Sequence, residues 1–313
     1  MNQVRHIINS FIKKDLALEK LEKIDFEGRK IFKSFALAHI GTAKILIDLQ
    51  DKQAKYFIKA KLNTYKNFKK KLIGILIELG LLKRIKIKVP KNIGLIFLSN
   101  RIKLFDFKGK FIYTIDHKNN HIKKSYSLLK KNKIEIPELK FKKQYILEKL
   151  LFPNEEIKEE EIIKIFRILF KLYKKTFKKE SQKEFIRLIN KSYNYNLKEI
   201  LGHIKKLPTY SSVIVHGDFC RPNIVKKREK YYLIDIENTR RALILEDFIR
   251  FFESEYNHTK KINKRIFNSL KNMFKRELLI PKKEFNRLVL IQLEIMKKRK
   301  NLLFRKKIIE ILK

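Results

Sequence analysis

Hydrophobic positions along the chain follow two periods, and the change from one to the other divides the sequence. Apolar residues recur every three or four positions at residues 1–25 and 64–82, which predicts helices. Residues 41–60 fit either a hairpin around Asp51-Lys52-Gln53 or parts of a helix. Residues 84–150 instead carry short apolar runs of the strand type. From residue 154 onward helical spacing returns, so a β-rich region precedes a mainly helical one.

The strand-like region predicts a small sheet. RIKIKVP and IGLIFLSN are typical of strands, and RIKLFDFKGKFIYTID predicts a hairpin with Gly109 in its turn. A short helix is predicted near residues 122–129. IEIPELKF and QYILEKLL then predict a strand, a turn and a second strand.

The helical region is interrupted once. An apolar stripe predicts a helix over residues 162–173, and a second helix is predicted over roughly 180–206. SSVIVHGDF then predicts a strand, and IVKK with YYLIDIE predicts a hairpin around Arg228. The rest of the chain returns to helical spacing, so the pattern predicts the α+β class.

Charge is the most unusual feature of the composition. The 76 Lys and Arg residues exceed the 33 Asp and Glu by 43 over 313 residues. Such an excess is typical of proteins with an anionic partner. Here the charge is spread along a chain rich in Lys, Ile and Asn and without Trp, a usage typical of AT-rich genomes. Without a nucleic-acid-binding motif, a nucleic-acid partner is not favoured; peripheral contact with an anionic membrane stays open.

Cysteine content and hydropathy predict a cytoplasmic protein. Cys220 is the single cysteine, which excludes an intrachain disulfide and fits a reducing compartment. Charges interrupt the apolar residues of the N-terminus, and apolar runs stop well short of about 18 residues. The eight glycines form neither GxGxxG nor GKS/GKT, so dinucleotide-binding and Walker-type loops are not predicted.

The most specific chemistry lies in VHGDFCRPNIVKKREKYYLIDIEN, residues 215–238. Asp218 is followed five positions later by Asn223, and Asp235 ends a hydrophobic strand twelve positions after that. Kinases place a catalytic base and two magnesium ligands in this order, because phosphoryl transfer needs a positioned hydroxyl and cations on the phosphate oxygens. His216 is predicted to brace the loop backbone. Glu237, expected on the same side of a continuing strand, is a possible support for a second metal or its water.

HGDFCRPN and LIDIEN together resemble the aminoglycoside and choline phosphotransferase group, which shares the protein-kinase-like fold. That group carries an HGDxxxxN loop and an IDxE strand end, and LEDF at residues 245–248 lies where its members often carry a further Asp. The resemblance implies ATP, Mg²⁺ and the hydroxyl of a small molecule as acceptor. It also implies Asp218 as base and Asn223 with Asp235 as metal ligands. By analogy alone, a sugar or saccharide intermediate is the expected substrate.

The fold implied by the resemblance has two lobes. Residues 91–152 would form a small, mostly β N-lobe, and residues 153–313 the large helical C-lobe with the catalytic loop. Residues 1–90 would form an N-terminal extension of unassigned role.

The N-lobe lysine that contacts phosphates in kinases, and its glutamate partner, cannot be matched cleanly. In one register KFIYTID, IKKSYSLL and QYILEKLL are the third strand, the following helix and the hinge strand, with Glu148 in the hinge. Thr114 and Ser125 then occupy the Lys and Glu positions. In a second register, Lys59 of YFIKA pairs with Glu78, at the cost of a long insertion. Topology favours the first.

Three functional classes follow. The leading one is a small-molecule phosphotransferase. The missing Lys–Glu pair suggests a pseudokinase-like module that binds nucleotide without turnover, and the charge suggests a basic nucleic-acid or membrane-surface binder. A nucleophilic role for Cys220, with His216 as its partner, is less favoured than a filler role in the loop.

Overall fold

In the computed structural model of the chain, the described residues are 21, 24–26, 30–40, 43–63, 75, 77, 79–80, 82–98, 101–115, 119–151, 157–193, 201–204, 209–296 and 301–312. Contacts divide the chain into two compact units. The first contains residues 1–119 and 138–151, and the second residues 120–137 and 152–313. No helix within the described ranges is long and apolar enough to cross a bilayer.

The first unit is built on one eight-stranded antiparallel sheet. Its strands are β1 (Lys30–Ile40), β2 (Ala43–Ile47), β3 (Arg84–Pro90), β4 (Ile93–Leu98), β5 (Ile102–Asp106), β6 (Phe111–Ile115), β7 (Leu139–Phe141) and β8 (Ile146–Lys149). Their order in the sheet is β3-β1-β2-β4-β5-β6-β8-β7. The helix α1 (Lys52–Asn63) also belongs to this unit. Apolar side chains from most of these strands form its core, among them Phe35, Leu46, Val89, Ile96 and Leu104.

Local chemistry decides the segment that was ambiguous in the sequence. Residues 43–47 are a strand and residues 52–63 a helix. Asp51 caps that helix, since its Oδ1 accepts from the backbone N–H groups of Gln53 at 2.9 Å and Ala54 at 3.0 Å. The hairpin interpretation is therefore wrong, because the residues proposed for its turn start a helix.

The other strand predictions of this unit are largely confirmed. RIKIKVP is β3, IGLIFL is β4, and β5 and β6 form the predicted hairpin. Its turn takes a positive φ at Lys110, 60°, one residue after the expected Gly109. IEIP is not a strand; pairing begins only at Leu139. The predicted helices over 1–25 and 64–82 lie almost wholly outside the described residues.

The second unit is mainly helical. Its described helices are α2 (Asn119–Lys131), α3 (Glu159–Thr176), α4 (Gln182–Tyr193), α5 (Leu201–Ile204), α6 (Glu246–Thr259), α7 (Lys264–Glu277), α8 (Lys282–Ile295) and α9 (Leu302–Leu312). Asn119, the first residue of α2, is grouped with the first unit. An aromatic cluster fills its core, because α3, α6, α7 and α8 each bury phenylalanines. The ring of Phe248 lies 5.0 Å from that of Phe267 and 5.7 Å from that of Phe285.

Two small antiparallel sheets complete this unit. One has the order β13-β10-β9, with β9 at Lys178–Ser181, β10 at Thr209–Val215 and β13 at Arg240–Leu243. The other pairs β11 (Ile224–Lys227) with β12 (Lys230–Leu233) around Arg228, whose φ is 55°. The predicted strand and hairpin are confirmed. Within the helix predicted over 180–206, residues 182–193 and 201–204 are helical, whereas residues 180–181 belong to β9.

A β-rich unit and a mainly helical unit confirm the predicted fold class. The division between them differs in detail from the sequence-based boundaries of 1–90, 91–152 and 153–313. Residues 30–90 contribute three strands to the common sheet, and residues 120–137 group with the helices. The lobe boundaries themselves stay a prediction.

Candidate active site

His216 opens the loop that follows β10, and its side chain is completely buried. Its backbone N–H donates to Asp247 Oδ2 at 2.8 Å, and its Nε2 lies 2.9 Å from the carbonyl oxygen of Ile234. Because a carbonyl only accepts, Nε2 carries the proton. These are the contacts expected of a residue that braces the loop against the segment after β12.

Asp247, on α6, is the main anchor of the loop. Its carboxylate accepts from the N–H of His216, from the N–H of Gly217 at 2.8 Å, and from the hydroxyl of Tyr173 at 2.9 Å. Burial, with the neighbouring Glu246, raises the pKa of Asp247, against the opposing electrostatic effect of His216 and the hydrogen bonds from the backbone N–H groups of His216 and Gly217. One buried carboxylate therefore ties the loop to α3 and α6.

Gly217 has the backbone conformation that favours glycine. Its φ is 81°, and a Cβ there would lie 2.2 Å from the carbonyl oxygen of Asn238. The loop thus packs directly on the backbone after Asp235, at a distance that only a residue without a side chain permits.

We expect Gly217→Ala to destabilise the protein by about 2 kcal/mol or more, because the loop must move off Asn238 and hold a strained φ. Urea unfolding of the purified variant measures this. Gly202→Ala is the matched control, since a Cβ there meets nothing within 4 Å. Equal midpoints for the two variants would contradict the close packing at Gly217.

Asp218 and Asn223 are in direct contact within this loop. The Asn223 side-chain amide donates from Nδ2 to the Asp218 carbonyl at 2.9 Å and to Asp218 Oδ2 at 3.2 Å. The Asp218 side chain is half exposed, whereas Asn223 is buried. Because Nδ2 makes both bonds, the amide oxygen of Asn223 is the atom left to bind a cation.

Asp235 is brought beside Asn223 by the backbone. The N–H of Ile234 donates to the carbonyl of Asn223 at 3.0 Å, and Asp235 follows with φ 57° and ψ 47°. This left-handed backbone conformation ends the extended segment that follows β12, and residues 236–238 form a 3₁₀ turn. The expectation that Glu237 lies on a continuing strand is therefore wrong.

The oxygen atoms available as ligands here suit a magnesium ion. Magnesium takes oxygen ligands, typically one or two carboxylates with phosphates and waters. The Asn223 amide oxygen and the Asp235 carboxylate are ligands of that kind on adjacent segments. Across the described part of the chain, no group of three or more His, Cys, Asp or Glu side chains could hold a metal by itself.

The β11–β12 hairpin that positions both candidate ligands is fastened to α3 by Glu161. The Glu161 carboxylate accepts from Tyr231 Oη at 2.6 Å and pairs with Lys226 Nζ at 2.9 Å. The hydrogen bond from Tyr231, followed by those from the backbone of Lys158 and from Lys226, lowers the pKa of Glu161 to about 2. Burial and this same bond raise the pKa of Tyr231 to about 12.

We expect Glu161→Gln to lower the free energy of unfolding by about 1–2 kcal/mol at pH 7. A carboxyl whose pKa falls on folding stabilises the protein above its ordinary value, 4.5, and loses that contribution as pH drops toward 2. The deficit of Glu161→Gln should therefore shrink across that window. Denaturant titrations from pH 7 to pH 3 measure it, with the exposed Glu160→Gln as control. A deficit independent of pH would contradict the assignment.

Sequence reasoning missed a charged cluster beside Asp218. Glu246 is fully buried and accepts from Arg240 Nη2 at 2.8 and 3.0 Å and from Arg250 Nε at 2.9 Å. Arg250 Nη1 lies 3.8 Å from Asp218 Oδ1. The available signal was the i, i+4 spacing of Glu246 and Arg250 on a helix that also carries Asp247.

The structure distinguishes between the two registers considered for the N-lobe lysine. KFIYTID contains β6 with Thr114, IKKSYSLL lies in α2 with Ser125, and QYILEKLL contains β8 with Glu148. The elements of the first register are thus present. YFIKA is part of the helix α1, whereas protein kinases carry this lysine on a strand, so the second register does not fit. The Lys59 side chain and Glu78 lie outside the described residues.

Thr114 and Ser125 are both buried. Ser125 Oγ lies 3.4 Å from the carbonyl oxygen of Thr239, just after the turn that follows Asp235. The position expected for the helix glutamate is therefore filled by a neutral side chain that contacts the backbone beside the candidate metal ligands.

No family model and no curated protein matches the chain. Several solved structures do. An aminoglycoside phosphotransferase from Streptomyces rimosus, in complex with ADP and streptomycin, is 16% identical over 61% of this chain and 90% of its own, with a TM-score of 0.40. A choline/ethanolamine kinase family protein from Mesorhizobium loti is 11% identical over 69% and 83%, with a TM-score of 0.35. Amicoumacin kinase, in complex with AMP-PNP and Ca²⁺, is 12% identical over 77% and 96%, with a TM-score of 0.37.

Proposed function

We propose that this protein is an ATP- and Mg²⁺-dependent phosphotransferase that acts on a hydroxyl group of a small molecule. The observation that supports it best is the grouping of Asp218, Asn223 and Asp235 within one compact unit. Asn223 bonds Asp218 through its side chain and Ile234 through its backbone. The proposed base is thus hydrogen-bonded to Asn223, and Asp235 directly follows the residue that bonds the Asn223 backbone.

Each residue has a separate task in this proposal. Asp218, half exposed, accepts the proton of the acceptor hydroxyl and orients it for in-line attack. The Asn223 oxygen and the Asp235 carboxylate would hold Mg²⁺, which when bound neutralises charge on the phosphate oxygens. His216 and Asp247 hold the loop backbone in place, so that little reorganisation is needed during reaction.

The acceptor class that we propose is a sugar or saccharide intermediate, handled in the cytoplasm. The chain's net charge of +43 is unfavourable for a cationic aminoglycoside, whereas neutral or anionic saccharides face no such repulsion.

Coupled measurement of ADP formation tests the proposal. Purified protein is incubated with Mg-ATP and a panel of sugars, amino sugars and glycan intermediates. We expect acceptor-dependent ADP formation that EDTA abolishes. Failure of both Mg-ATP binding and turnover across the panel would contradict the proposal.

A pseudokinase-like nucleotide-binding module is the second candidate, and a specific observation supports it. The strand and helix of the preferred register carry Thr114 and Ser125 where kinases carry the Lys–Glu pair. Thermal shift with Mg-ATP, run beside the turnover assay, separates the two functions. A rise in Tm without ADP formation from any acceptor would favour the module.

A further inference from the structure

Arg250 lies on α6 one turn after Glu246, with its side chain only 14% exposed. Its Nε donates to Glu246 Oε1 at 2.9 Å, and its Nη1 lies 3.8 Å from Asp218 Oδ1. The guanidinium therefore lies between a buried carboxylate and the candidate catalytic carboxylate.

Glu246 is fixed independently of Arg250. Arg240 on β13 donates two hydrogen bonds to its carboxylate, at 2.8 and 3.0 Å. A fully buried carboxylate needs such partners, because an unpaired charge in the interior is strongly unfavourable. With Glu246 held from one side, the planar guanidinium of Arg250 is held in orientation on the other.

The two oxygens of the Asp218 carboxylate have different surroundings. Oδ2 accepts from Asn223 Nδ2 at 3.2 Å, whereas Oδ1 faces Arg250 at 3.8 Å. That distance exceeds a hydrogen bond, so the attraction is electrostatic and leaves the Oδ1 lone pairs open. No hydrogen bond from the described residues reaches Oδ1. This oxygen is therefore the one placed to accept a proton.

We propose that Arg250 is a positioning residue for phosphoryl transfer: held by Glu246, its guanidinium fixes the side chain of Asp218 so that Oδ1 points to the acceptor hydroxyl. This inference rests on the proposed phosphotransferase function for its catalytic part. Its structural part, that the Asp218 side-chain conformation depends on Arg250, can be tested without any turnover.

Three variants separate positioning from simple stabilisation. Arg250→Lys keeps a positive charge for Glu246 but lacks the fork that reaches both carboxylates. Arg250→Gln removes the charge. Arg240→Gln is the matched control, since it also removes one guanidinium from Glu246 but is not within ion-pair distance of Asp218 in this structure.

kcat and KM for Mg-ATP are measured at steady state with the acceptor of the panel that gives the highest rate of ADP formation. If no acceptor of the panel supports turnover, hydrolysis of ATP by water is measured instead. We expect Arg250→Lys and Arg250→Gln to lower kcat by about 10- to 100-fold, with KM for ATP changed less than about threefold. Arg240→Gln should lower Tm at least as much as Arg250→Lys but reduce kcat less. Equal losses of kcat in Arg240→Gln and Arg250→Lys would overturn the proposal.

Crystal structures of the wild type and of Arg250→Lys supply the second readout. We expect one Asp218 side-chain conformation in the wild type and a different or divided conformation in the variant. An unchanged Asp218 conformation overturns the proposal whatever the turnover. If the wild type turns over no ATP but the Asp218 side chain is displaced in the variant, the positioning role of Arg250 stands and the phosphotransferase function is refuted.

Discussion

Replacing Asp218 with Asn is expected to lower acceptor-dependent phosphoryl transfer by about 10²- to 10⁴-fold, the usual contribution of a positioned general base. The substitution keeps the size of the side chain and removes the carboxylate that accepts the hydroxyl proton. The side chain is half exposed, and among the described residues its polar neighbours are Asn223, by a hydrogen bond, and Arg250, at ion-pair distance. The fold should therefore survive, and the loss should lie in kcat.

The measurement is initial-rate ADP formation at saturating Mg-ATP, with Tm and Mg-ATP affinity determined on the same preparation. Glu237→Gln is a useful comparison, because the 3₁₀ turn removes Glu237 from the strand position that its expected role required. We expect a smaller loss for it than for Asp218→Asn. Unchanged turnover in Asp218→Asn, in correctly folded protein, would refute the base assignment.

Replacing Asp247 with Ala is expected to have the largest effect on stability, about 3–5 kcal/mol. Three buried donors lose their acceptor at once: two consecutive backbone N–H groups of the loop and the Tyr173 hydroxyl. Asp247 is fully buried, so bulk solvent does not reach the carboxylate that these donors lose. Because these donors include two backbone N–H groups of the loop, the loop carrying Asp218 should also lose its fixed conformation.

Urea unfolding and thermal melts measure this effect, and Tyr173→Phe is the matched control. That change removes one of the three donors and leaves the carboxylate bonded to the loop, so we expect a cost near 1 kcal/mol. A similar cost for both variants would show that Asp247 is not the anchor of the loop.

The residues of the loop and the hairpin could be predicted from sequence because their signals are local. The Asp218–Asn223 spacing, the alternating strands and the turn at Arg228 are all contained within about twenty residues. Each corresponds to a backbone feature seen in the structure. Their order along the chain was enough to place the candidate base and metal ligands close together.

The rest depends on contacts between distant segments. Nothing local shows that Arg250 lies beside Asp218, or that Glu161 holds a hairpin 65 residues and more away along the chain. The strand position predicted for Glu237 is wrong. The apolar–polar alternation continues through IDIE, but the left-handed backbone conformation of Asp235 ends the strand. An aspartate tolerates that conformation better than most residues, but pattern alone does not require it.

The grouping of residues 120–137 with the helical unit has a consequence for the order of folding during synthesis. Helix α2 and its following segment contact residues made much later: Glu135 O accepts from Leu233 N at 2.9 Å, and Ser125 Oγ lies 3.4 Å from Thr239 O. The ribosome must add about a hundred residues before these partners exist, although the chain between them has already returned to the first unit at residues 138–151. The segment beside the candidate metal ligands therefore completes its contacts late, and a fragment beginning at residue 153 would lack one of its supports.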